Sequence, residues 1–170
     1  MSLIGRKILS LSNQKESKRR TGNSLSFTEA QSIGVLFTWE DRKKEATITE
    51  FVNEIGKNKR VQCLCFNPNK KEAIETTYPV FDLGQLSLLG KIESPETNEF
   101  IKTPFDYLFH FDFELSDITQ SLLSRCNAQY RVGFHTDEGE NFYELMIGIN
   151  KSAGLHNFAG QMLKYVNALK

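Results

Sequence analysis

The chain has one tryptophan, three methionines, four prolines and three cysteines in 170 residues, and no net charge. Each scarcity excludes something. The cysteines, Cys63, Cys65 and Cys126, are odd in number and lack the two spaced pairs of a zinc site. Cys63 and Cys65 stand one residue apart on a predicted strand and so share a face, as small buried hydrophobes of a reducing compartment. No apolar run approaches the ~18 residues of a membrane helix. The basic start is not followed by the continuous apolar stretch of a secretory signal, so the expectation is a cytoplasmic protein. Zero net charge gives the whole molecule no long-range pull on nucleic acid or anionic membrane.

Phosphate-binding glycine loops are missing in both common forms, Gly-x-Gly-x-x-Gly and Gly-x4-Gly-Lys-Ser/Thr, and so is a Gly-x-Ser-x-Gly nucleophile elbow. His110, His135 and His156 are scattered, with no His-Cys-Asp cluster to hold a metal. His110 lies inside a predicted strand and reads as a core histidine, and His156 as an exposed residue of the last helix. No cofactor is implied.

What is present is material for a core and an uneven distribution of charge. Thirteen Phe and five Tyr supply large buried areas. Residues 1–26 carry Arg6, Lys7, Lys15, Lys18, Arg19 and Arg20 against Glu16 alone, a net of +5 on a chain whose remainder must hold −5. The expected organisation is a basic N-terminal arm, 1–26, and one α/β domain, 27–170. Lys15, Lys18, Arg19 and Arg20 are the arm's candidate binding residues, with a protein, RNA or an anionic surface as the partner.

Hydrophobic patterning predicts strands at 32–39, 60–66, 105–111, 130–134 and 143–149, the first of them apolar enough to be buried on both faces. Residues 80–83 and 86–92 read as two short strands or as a strand and a turn, and 94–98 as a surface loop. Ile48, Phe51, Val52 and Ile55 define one helical face closed by Gly56; Leu115, Ile118, Leu122 and Cys126 define another. The final helix turns Leu155, Phe158, Ala159, Met162, Val166 and Leu169 inward. Strands alternating with helices predict a three-layer, doubly wound, mostly parallel sheet of about five strands, half-Rossmann-like. The strand at 143–149 is expected to run antiparallel at an edge, because the turn before it is too short for a crossover helix.

Several segments resemble a family of small uncharacterised bacterial proteins, a domain of unknown function: the basic arm, Phe-Thr-Glu-Ala-Gln-Ser-Ile-Gly-Val-Leu-Phe at 27–37, Leu-Ser-Leu-Leu-Gly-Lys at 86–91, Pro-Phe-Asp-Tyr-Leu at 104–108 and Arg-Val-Gly-Phe at 131–134. That family implies no activity. Separately, Phe-Asp-Tyr-Leu-Phe-His-Phe-Asp at 105–112, the helix with Leu122, Leu123 and Arg125, and the strand from Tyr130 to Phe134 are similar to one unit of the Rossmann-like N-terminal half of heptosyltransferase-like glycosyltransferases. Those enzymes carry a Gly-Asp loop after the first strand and a second domain for the sugar nucleotide. Here Trp39-Glu40-Asp41-Arg42 follows the first strand, so the similarity implies the fold and not the transfer reaction.

Parallel α/β sheets bind ligands beyond the carboxyl ends of their strands. The ends expected here present Trp39 and Glu40 as crevice residues, and Asp112 with His135 as an acid/base pair in which the carboxylate raises the imidazole pKa. The same acids can serve simply as helix caps. The leading expectation is a non-catalytic binding or adaptor domain working through its arm. The alternative is a small-molecule enzyme or ligand-binding protein with its site at the strand ends.

Overall fold

Apolar residues on both sides of the strands, rather than at every second position alone, force this sheet to be covered on both faces. In Ser32–Thr38 (β1), Ile33, Val35 and Phe37 point one way and Leu36 the other, and all four are essentially inaccessible. The computed structural model describes residues 25–69, 73–85 and 94–169. The arm residues Lys15, Lys18, Arg19 and Arg20, and the 86–92 part of the segment expected to hold short strands, lie outside them; its 80–83 part is described.

After β1 come Arg42–Ile55 (α1), Arg60–Asn67 (β2), Val80–Asp82 (β3), Pro95–Lys102 (α2), Phe105–His110 (β4), Asp117–Arg125 (α3), Ala128–Phe134 (β5), Leu145–Ile147 (β6) and Gly154–Ala168 (α4). The six strands form one sheet, ordered β3-β2-β1-β4-β5-β6, with every neighbouring pair parallel. On one face Ile33, Val35, Phe37, Cys63, Cys65, Phe109 and Val132 meet α1 and α4 through Ile48, Phe51, Phe158 and Met162. On the other, Leu36, Leu64, Phe66 and Leu108 meet α2 and α3 through Phe100, Ile118, Leu122 and Leu123. The fold is the three-layer Rossmann-like α/β architecture expected, with six strands instead of about five.

Two local expectations are corrected. The segment 94–98 is not a surface loop but the start of α2: the Ser94 hydroxyl accepts from Thr97 N–H, Pro95 opens the helix, and Thr97 and Phe100 are buried. The strand near 143–149 is not antiparallel: Val132, Gly133 and Phe134 pair in parallel with Leu145, Met146 and Ile147. The chain returns through a single 3-10 turn, Glu138–Asn141, that lies against the sheet. This is possible because Tyr143 rests directly on Gly133, where a β-carbon would stand 2.3 Å from the ring. A connection without a helix can be short when its side chains touch the strand's backbone. Arg131 fixes the landing: its guanidinium grips Glu144 at 2.7 and 3.1 Å and donates to Leu123 O at 3.1 Å, while its backbone N–H reaches the same carboxylate at 2.7 Å.

Candidate functional site at the strand-order reversal

Strand order reverses between β1 and β4, which lie side by side while their following connections leave in opposite directions. That reversal is where open α/β sheets leave a crevice at the carboxyl ends of the strands. Asp112, two residues past the end of β4, lies there. Extended chain places residues i and i+2 on one side, so His110 and Asp112 meet, Nε2 to Oδ2 at 3.0 Å. The carboxylate sits off the ring N–H axis, so this is a close polar contact and not an aligned hydrogen bond.

The other partners of Asp112 come from β1 and α1. Thr38 donates its backbone N–H to Oδ1 at 3.0 Å and Oδ2 at 3.1 Å, and its hydroxyl to Oδ2 at 2.7 Å. Lys44, in the first turn of α1, donates to Oδ1 at 2.6 Å and to the Glu40 carboxylate. Asp41 caps the same helix, accepting from Lys44 N–H at 2.7 Å. Behind His110, Nδ1 lies 2.6 Å from the Tyr143 hydroxyl. A carboxylate beside Nε2 favours the tautomer protonated there, so the phenol donates to Nδ1. Burial holds the Tyr143 phenol well above its ordinary pKa, consistent with its role as donor.

Lys44, Asp112, His110 and Tyr143 are all buried, and together they form a polar seam between the two apolar cores. Burial alone would raise the Asp112 carboxyl, but the His110 ring and the Lys44 ammonium beside it outweigh that and hold the group well below the usual carboxylate range. A carboxylate offers about four acceptor sites; the Thr38 N–H and hydroxyl and the Lys44 ammonium take three of them, and the His110 ring stands 3.0 Å from Oδ2. Asp112 therefore holds its neighbours in place and has little basicity left for chemistry.

Two clefts open above this seam. One, of about 430 Å³, is lined by Thr38, Glu40, Phe66, Pro68, Asp112, Phe113, Glu114, Leu115, Ser116 and Lys151. The other, of about 370 Å³, has Glu40, Asp41, Lys43, Lys44, Thr47, Phe113 and residues 153–156 around it. Glu40 and Phe113 belong to both.

Of the residues expected at the strand ends, Glu40 and Asp112 line the crevice, and Trp39 stands half-buried beside it under the Arg42 guanidinium, 5.8 Å from the ring centre. His135 is exposed at the end of β5 and is not among the partners of Asp112; its backbone N–H donates to Ile147 O. The histidine that meets Asp112 is His110. Sequence reasoning missed Thr38, Lys44 and Tyr143. The His110-x-Asp112 spacing was a usable signal for one pair. Lys44 gives no signal of its own, being one of two adjacent lysines at the start of an amphipathic helix. Among the described residues no group of three or more His, Cys, Asp or Glu side chains is placed to hold a metal ion, and no helix is long and apolar enough to cross a membrane.

The model of one family of unknown function, DUF6913, matches residues 3–169. The chain belongs to DUF6913. No curated protein and no solved structure matches it. Within this DUF6913 chain the seam from Lys44 to Tyr143 therefore has to be read on its own chemistry.

Proposed function

We propose that the protein is a ligand-binding domain whose small-molecule site is the crevice at the carboxyl ends of β1 and β4. One observation carries this reading: a buried Lys44–Asp112 pair underlies two adjoining clefts at the reversal of strand order. Burying both charges costs several kcal/mol per ion before their attraction is counted, roughly what the pairing returns. Such a pair adds little to stability, and its position supports a role in shaping the crevice. The donors of Thr38 and Lys44 on Asp112, and a carboxyl held well below its usual range, favour binding over general-base catalysis. The test is a fragment screen followed by amide chemical shifts of the labelled protein. Hits should move Thr38, Glu40, Phe113 and Leu115 together. Hits that cluster elsewhere, or none at all, would end this reading.

A second reading is supported by the sequence: the net +5 of residues 1–26 suits an adaptor that engages an acidic protein, RNA or an anionic surface through Lys15, Lys18, Arg19 and Arg20. The two readings are compatible, since they use different parts of the chain.

A further inference from the structure

We infer that Lys44 is the anion-binding group of the crevice and that Glu40 occupies it as a built-in competitor, so that the ligand is a small monocarboxylate with an apolar body. The inference rests on the crevice being the binding site and adds the class of ligand it takes.

The two carboxylates on Lys44 are not equivalent. Asp112 is fixed, its side chain 7% exposed and also held by Thr38 and His110. Glu40 is 65% exposed, and the Lys44 ammonium is its one ion-pair partner among the described residues. An exposed carboxylate contributes little to such a pair and exchanges readily. A ligand carboxylate that replaces it leaves the local charge unchanged, so the buried ammonium is never left with Asp112 alone. Turning Glu40 aside also removes one of the two side chains, Glu40 and Phe113, that the clefts share. The space gained has Phe66, Leu115 and Phe113 for an apolar body.

Other head groups fit worse. A cation finds Asp112 already engaged by Thr38 and Lys44, and Glu114, another acid of the larger cleft, is 90% exposed at its mouth with Lys151 3.9 Å away. A phosphate monoester would bring a second charge against Asp112. The place a phosphate takes at a helix N-terminus is already filled by Asp41, which accepts from Lys44 N–H.

The experiment uses three probes that share one apolar body: phenylacetate, phenyl phosphate and 2-phenylethylamine, titrated into the full chain and followed by amide shifts and calorimetry. Phenylacetate should bind at the crevice and the other two more weakly. Glu40→Ala, at an exposed position, should tighten phenylacetate by about two- to fivefold, the worth of an exposed pair. Lys44→Met should abolish phenylacetate binding. If phenylacetate leaves the crevice shifts unmoved, if 2-phenylethylamine binds there as well as phenylacetate, or if Glu40→Ala weakens phenylacetate, the assignment of Lys44 falls. The wider fragment screen decides the crevice independently: hits there without carboxylate preference overturn this inference and keep the site.

Discussion

Asp112 is held by groups from three elements, so its removal has consequences on β1, α1 and β4 at once. Asp112→Asn keeps the shape but leaves the Lys44 ammonium buried with only Glu40 as counter-ion, and should cost about 3 kcal/mol at neutral pH. The pH dependence has a definite sign. The folded carboxyl titrates below its unfolded value of about 3.9. The stability it brings is therefore complete above that value and is lost as pH falls through and below it. Chemical denaturation measured between pH 7 and 2 should show an acid limb that is shallower in Asp112→Asn than in the unaltered protein. Equal limbs would mean that Asp112 is not held ionised by His110 and Lys44. The three cysteines carry the opposite lesson: burial pushes each thiol up to about 12, so they are packing residues, as the sequence suggested for Cys63 and Cys65.

At the scale of elements, most strands and helices were legible because their signals are local. The Ile48, Phe51 and Ile55 stripe is buried as its spacing requires, and Asp41 and Ser116 cap the helices that follow them. Two elements were misread for the same physical reason, a competition between a local signal and a tertiary contact. Ser94-Pro95-Glu96 has the composition of a turn, and only burial of Thr97 and Phe100 shows that it opens a helix. The direction of β6 depends on Gly133, whose missing side chain makes room for Tyr143, ten residues further along the chain. No periodicity in the sequence encodes that fit. Gly133→Ala would place a methyl 2.3 Å from ring atoms of Tyr143 and should cost about 1–3 kcal/mol, like other overpacked cores. It should also detach the phenol from His110, visible as a change in the His110 ring resonances, while Tyr143→Phe should lose that bond and keep the packing. An unchanged melting temperature in Gly133→Ala would show that the contact is slack.

For the whole molecule, the alternation of apolar segments was enough to give the class of fold. The position of the crevice follows from strand order, which is a long-range property. The candidate site was half legible: Asp112 and Glu40 could be placed at strand ends, but Lys44 and Tyr143 reach it only once α1 and β6 are docked. Charge asymmetry is the other whole-molecule feature, a net of +5 in residues 1–26 balanced by −5 in the rest. If those residues serve binding, whatever they hold should be captured at low salt and released steeply as ionic strength rises, and removing residues 1–24 should abolish capture while leaving the crevice's ligand affinity intact. Capture that is indifferent to salt would remove the arm from consideration.

The way the chain enters the domain bears on this. Leu25 O accepts from the Tyr107 hydroxyl at 2.7 Å, Phe27 packs against Tyr107 and Phe109, and Lys59 donates to Phe27 O and Ala30 O at 2.8 Å each. These anchors lie at the amino ends of β1 and β2, the pole opposite the crevice. A molecule attached at the Leu25–Ala30 pole would therefore face its opening away from the support. Immobilised for a sensor, or docked on a larger assembly, it would still be free to load and unload from the open side.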